Sequence, residues 1–224
     1  MGMDSIDQIK RNAADVLHEL PVGVTLVAAA KTRTLDEIAA AYEAGIRVFG
    51  HNYVQEAQAM IAGVDFKAEW HMIGHLQRNK AGQAVQLFNM LETLDSTRLA
   101  NEIEMRCAQA DKVMPVLVEI NSGLEESKSG VHPEGVDELV EVVSQCKHLK
   151  LMGLMTMGQF SGDPELSRPS FKLTRQIFER LKAKKQPGIE MRYLSMGMSH
   201  SYHLALEEGA NMVRIGTRIF GPRP

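Results

Sequence analysis

The stretch from Val24 to Gly50, VTLVAAAKTRTLDEIAAAYEAGIRVFG, decides the fold. It opens on an apolar run, Val24 to Ala30, of the kind found in strands buried on both faces. Thr34-Leu-Asp-Glu37 is a capping box, in which the threonine and glutamate side chains each satisfy a backbone N–H at a helix start. The helix predicted over 34–44 stops at Gly45, and a second strand follows from Arg47 to Gly50. Strand, helix and strand in one short segment make a βα unit with parallel strands.

Outward from this unit the same rhythm continues to both ends. Further strands are predicted at Glu69 to Gly74, Met90 to Leu94, Pro115 to Asn121, Leu149 to Thr156, Arg192 to Ser195 and Met212 to Ile215. The other helices are predicted near 5–18, 53–61, 78–87, 96–109, 133–146, 165–184 and 199–208, with Asp95-Ser96 and Pro133 as start signals. Eight such units predict a single closed (β/α)8 TIM barrel, an α/β fold, with a doubly wound open sheet as the alternative. No linker-like or low-complexity tract interrupts the rhythm. Gly158 to Pro169 reads as a long loop after the sixth strand, and one domain is expected over 1–224.

The 224 residues carry 25 Lys+Arg against 28 Asp+Glu, a net charge of −3, and the sequence pI is about 6.2. That balance argues against nucleic acid as a partner, since such domains present a basic stripe to phosphates. The basic cluster Lys182, Lys184 and Lys185 reads as a solvated helix end. Cys107 and Cys146 lie within helical patterns at no paired spacing. The opening residues are too polar for a signal peptide, and no apolar run approaches the ~20 residues of a membrane span. A reduced, cytoplasmic protein is expected.

In a barrel, chemistry collects where strands run into loops. Lys31 directly follows the first strand, where partial desolvation would expose its amine as a nucleophile toward an aldehyde. Ser195-Met-Gly-Met198-Ser199 follows the seventh strand and Arg214-Ile-Gly216-Thr217 ends the eighth. Small residues after these two strands let backbone N–H groups approach a phosphate, so Gly197, Ser199, Gly216 and Thr217 form a candidate cradle. His51, His71, His75, His200 and His203 also fall near strand ends, but few carboxylates are expected there, Glu56 being the nearest, and no metal-binding spacing occurs, so no metal site is assigned. Asn52 and the Trp70-His71 pair read as ligand-lining groups. Met152, Met155 and Met157 read as core packing.

Together these strings resemble the pyridoxal phosphate homeostasis proteins (the YggS/PROSC family). The resemblance rests on Val27-Ala-Ala-Ala-Lys31-Thr, Phe49-Gly-His-Asn-Tyr-Val-Gln-Glu56, Glu69-Trp-His-Met-Ile-Gly74, Leu76-Gln-Arg-Asn-Lys80, Ser127-Lys-Ser-Gly130, Gly153-Leu-Met-Thr-Met157, Leu194-Ser-Met-Gly-Met-Ser199 and Val213-Arg-Ile-Gly-Thr217 with Ile219-Phe-Gly221. It implies a barrel like the N-terminal domain of alanine racemases, fold type III among pyridoxal-phosphate proteins. It also implies pyridoxal 5'-phosphate held as a Schiff base on Lys31, with phosphate contacts from Ser199, Gly216 and Thr217. Arg214 would face the pyridine nitrogen, while Asn52, His71 and Met198 line the pocket. Two positions depart from the family pattern: His51 stands where the family usually has Glu, and Ser201 where it usually has an acidic residue.

An arginine beside the ring nitrogen keeps it unprotonated and makes a weak electron sink, better suited to holding the cofactor than to carbanion chemistry. A racemase of this type also takes a second base from another domain or subunit, for which a strand ending within ten residues of Pro224 leaves no room. The implied role is a non-catalytic carrier or buffer in intracellular pyridoxal phosphate homeostasis, serving acceptor enzymes, as a monomer or weak homodimer. The alternatives are a small pyridoxal-phosphate enzyme such as an amino-acid racemase, with Tyr53, Tyr202 or a histidine as base, and a metal-dependent barrel hydrolase.

Overall fold

The computed structural model describes residues 3–125, 128–158, 163–184 and 186–222; Ser127 of the quoted string, Lys185 of the basic cluster and residues 159–162 of the expected loop lie outside this set. Eight strands form the sheet: β1 (Thr25–Ala29), β2 (Val48–His51), β3 (Glu69–Met72), β4 (Met90–Leu94), β5 (Met114–Glu119), β6 (Leu149–Met155), β7 (Ile189–Ser195) and β8 (Met212–Ile215). They pair in chain order, and β8 returns to pair in parallel with β1, from Thr25 opposite Met212 to Ala28 opposite Ile215. That closure makes a barrel and removes the open-sheet alternative.

The helices outside it are α1 (Met3–Glu19), α2 (Leu35–Glu43), α3 (Val54–Gly63), α4 (Ala81–Leu87), α5 (Thr97–Gln109), α6 (Val136–Ser144), α7 (Arg168–Lys184), α8 (Tyr202–Glu207) and α9 (Thr217–Phe220). The capping box before α2 forms as expected: Glu37 N–H donates to Thr34 Oγ1 (3.3 Å), and Thr34 N–H to Glu37 Oε2 (2.7 Å).

Most differences from the expected boundaries have local causes. Strand β7 begins three residues before Arg192 because its first residues are partly exposed and alternate, without forming an apolar run. Three expected helices open instead with tight 3-10 turns, at Arg78–Lys80, Pro133–Gly135 and Pro164–Ser167. Helix α9 is additional, and its four residues are too short to show a period.

Apolar side chains divide into two cores. The larger lies between sheet and helices and includes Phe49, Trp70, Ile103 and Phe171. The smaller fills the barrel lumen with Val27, Ile73, Met90, Leu117, Met152, Met155 and Met212. Because side chains alternate along a strand, the lumen set identifies which other residues point inward. Those include His71, Glu92, Glu119, Ser195 and Arg214, all buried.

Candidate functional site at the barrel mouth

The seam between β1 and β8 builds the site. Val27 and Ala29 line the lumen, and Ala30 N–H still donates to Gly50 O (2.8 Å), so the alternation carries half-buried Lys31 to the inner rim. Thr32 then turns the chain in a left-handed conformation (φ 65°), with its N–H donating to Glu56 Oε1 (3.1 Å). Across the seam Val27 stands opposite Arg214. Gly216 lies so close that an added Cβ would meet Ala29 at 3.3 Å. Lys31, Arg214 and the segment from Gly216 therefore share one edge of the mouth, although nearly the whole chain separates them in sequence.

The other half of the cradle follows β7. Gly197 has φ 88°, and a Cβ there would come within 2.7 Å of Ala205 and 2.8 Å of Tyr202, so only glycine fits. Met198 N–H donates to Ser201 Oγ (3.2 Å), which closes the turn; the departure at Ser201 thus still supplies an oxygen acceptor. Ser199 Oγ receives the N–H groups of Gly216 (3.2 Å) and Arg218 (3.4 Å). Hydroxyls and backbone N–H groups converging between the last two strand ends, next to a lysine, have the donor chemistry of a phosphate site with an amine beside it.

This cradle is anchored from behind. Arg218 Nη2 donates to both oxygens of Glu19 at the end of α1 (2.5 and 2.7 Å), and the buried Tyr202 hydroxyl donates to Glu19 Oε2 (2.6 Å). Burial and that bond push the Tyr202 phenol up to about 12. Tyr202 is therefore a structural clasp and not the accessible base considered from sequence.

The five histidines do not converge on one point among the described residues, which corrects the expectation from their strand-end positions. His75 pairs at the surface with Asp95 (3.0 Å), and His203 packs at a tilt against the Tyr202 ring. His51 points outward, stacked on Trp70, with neither ring nitrogen hydrogen-bonded; burial pulls it down to about 4. His71 points into the lumen, where it bonds to Glu92 (2.8 Å). Among the described residues no three His, Cys, Asp or Glu side chains converge as a cation site.

Asn52 continues the inward parity of Gly50 and packs against Gly74, where an added Cβ would meet its backbone at 2.5 Å. Met157 reaches Arg214 Nη2 with its sulfur at 3.6 Å, so it edges the site as well as packing. Sequence reasoning missed two inward carboxylates. Glu92 is fully buried; burial alone would raise it, but His71, Arg214 and Ser195 outweigh that and hold it below the usual carboxylate range. Glu119 has one oxygen without a partner, and burial, reinforced by Asp95, pushes it up to about 7. Part of a signal was present for both, since each interrupts an apolar run, but only closure of the barrel shows that its position faces inward.

Comparison with known proteins agrees with this geometry. The family described as "Alanine racemase, N-terminal domain" matches residues 5–224. The pyridoxal phosphate homeostasis protein of Aquifex aeolicus (strain VF5) is 39% identical over 199 residues, covering 88% of this chain and 86% of its own. The human protein of the same name is 35% identical over 229 residues, covering 97% and 83%. PipY of Synechococcus elongatus PCC7942, solved with PLP bound, superposes with a TM-score of 0.87 at 30% identity, covering 95% of this chain and all of that one. Alanine racemase of Clostridium difficile 630 shares the fold alone, with a TM-score of 0.80 at 14% identity over 99% of this chain and 58% of the racemase. The closed barrel, the lysine at its first strand end and these likenesses along most of the chain lead to one conclusion: the chain belongs to the alanine racemase N-terminal domain family and, within it, to the pyridoxal phosphate homeostasis proteins.

Proposed function

We propose that this protein binds pyridoxal 5'-phosphate at the barrel mouth through Lys31 and holds it as a carrier or buffer in intracellular homeostasis, without substantial catalysis. The observation that carries this reading is the β1–β8 seam, which sets Lys31, Arg214 and the Ser199–Gly216 corner on one edge of the mouth. When bound, the cofactor supplies an aldehyde able to condense with a primary amine, losing water, and a phosphate that accepts hydrogen bonds. The residues present suit both ends. Ser199, Gly216 and Thr217 would hold the phosphate, Lys31 the aldehyde end, and Asn52, Met198 and His71 would line the pocket, with His71 acting from the lumen beneath.

Arg214 supports holding over turnover. Its guanidinium keeps its charge at neutral pH and has no proton acceptor to offer, so a ring nitrogen facing it stays unprotonated and withdraws electrons weakly. The reading extends to one cytoplasmic domain over 1–224, a monomer or weak homodimer that passes the cofactor to enzymes depending on it. No helix among the described residues is long and apolar enough to cross a membrane.

The test is an absorbance titration with pyridoxal phosphate, then borohydride reduction and peptide mapping. The wild type should carry the reduced adduct on the Lys31 peptide, and Lys31→Ala should lose it. Glu119 favours the second reading, a small pyridoxal-phosphate enzyme, because a buried carboxyl poised near neutrality is suited to proton transfer. Sustained racemisation of an amino acid that is lost in both Lys31→Ala and Glu119→Gln would establish that reading in place of the first.

A further inference from the structure

The lumen of a (β/α)8 barrel is ordinarily filled with layers of apolar side chains. Here a file of polar groups crosses it. Glu69, exposed at the N-terminal end of β3, lies 3.8 Å from Nε2 of His71. His71 Nδ1 bonds to Glu92 Oε1 (2.8 Å), and Ser195 Oγ donates to Glu92 Oε2 (2.7 Å). Arg214 Nη1 donates in turn to Ser195 Oγ (2.5 Å) and lies 3.8 Å from Glu92 Oε2. Arg214 Nη2 donates to the carbonyl of Thr156 (2.8 Å). From His71 onward every side chain in the file is at most 3% exposed.

The charges along it alternate. Burial alone would depress His71, but the carboxylates of Glu69 and Glu92 outweigh it and hold the imidazole above its ordinary value. The file thus alternates carboxylate, imidazole, carboxylate and guanidinium, ending in the mouth. An arginine has four rotatable side-chain bonds, and one left alone at the mouth would sample many of their states. This one is gripped at both terminal nitrogens, Nη1 by Ser195 Oγ and Nη2 by the Thr156 carbonyl with the Met157 sulfur beside it.

We propose that Glu92 is the positioning residue for Arg214: acting through the Ser195 hydroxyl, it fixes the guanidinium plane that a ring nitrogen in the mouth would meet. The inference deepens the pyridoxal-phosphate reading and rests on it. Charge compensation alone would also call for Glu92, since a lone buried guanidinium is costly. It would not call for Ser195. Ser195→Ala changes no charge and removes one oxygen, so it separates positioning from compensation.

The experiment compares wild type, Ser195→Ala and Glu92→Gln by three measurements: high-resolution structures without ligand, the pH dependence of the absorbance of protein loaded with pyridoxal phosphate, and the rate of its release. Positioning predicts a rotated or multiply placed Arg214 in Ser195→Ala, a shift of the absorbance profile by half a pH unit or more, and release roughly tenfold faster. Glu92→Gln should move in the same direction and further. An unmoved Arg214 with the wild-type profile in Ser195→Ala overturns the proposal. Failure of wild type to take up the cofactor would sink the functional reading instead, and the ligand-free position of Arg214 would still decide the positioning.

Discussion

His51 in the outer layer and His71 in the lumen stand on neighbouring strands, 1% and 2% exposed, and are driven to opposite ionisation. His51 meets an aromatic face and no hydrogen-bonding partner, so burial pulls it down to about 4. His71 suffers the same burial but has carboxylates on both nitrogens and is raised. Depth therefore does not set the charge; the partners do. The parity of each position on its own strand, outward for His51 on β2 and inward for His71 on β3, decides which partners each one meets.

The largest effect should come from breaking the lumen side. His71→Leu leaves Glu92 without its principal counter-charge and should cost about 3–5 kcal/mol at pH 7, with a fall in Tm on the order of 10 °C. A raised histidine stabilises fully below its unfolded value near 6.5, and loses that contribution as pH rises through its folded value. The gap between wild type and variant in urea unfolding should therefore narrow toward alkaline pH. A constant gap would mean that packing, and not charge, had been removed.

His51 should show the opposite slope. Between pH 6.5 and about 4 the unfolded chain accepts a proton that the folded protein refuses, so stability falls as pH falls through that window. At ~1.4 kcal/mol per pH unit the loss approaches ~3 kcal/mol by pH 4. His51→Leu should match wild type or exceed it at pH 7 and flatten the acid slope in the same unfolding series. An unchanged slope would place the acid sensitivity elsewhere.

The smallest effect sharpens the outer layer alone. Thr34→Ala removes the cap of the helix that follows Lys31 and should cost ~1 kcal/mol, independent of pH from 6 to 8. Denaturant midpoints at three pH values would check this.

The barrel was legible because each strand of this fold is a short apolar run bounded by helix signals, as at Val24 to Gly50. That Lys31 and the Ser199 and Gly216 segments meet at one mouth was legible because all of them follow strand ends of one barrel. The inward carboxylates were harder to find. Glu92 sits inside Met90 to Leu94 and Glu119 ends an apolar run, and a buried strand shows no polar alternation to say which face is the lumen. The same ambiguity grouped the histidines wrongly, since proximity in sequence to a strand end does not tell inward from outward. The lumen file appears only once closure fixes the parity of β3, β4, β7 and β8 against one another.

The β1–β8 seam also ties a ligand to the integrity of the ring. Lys31 lies near one end of the sequence and Gly216 near the other, so the two stand side by side only where β1 pairs with β8. A ligand that spans them would bind the closed ring in preference to the unfolded chain, and would add to the stability of the barrel by mass action.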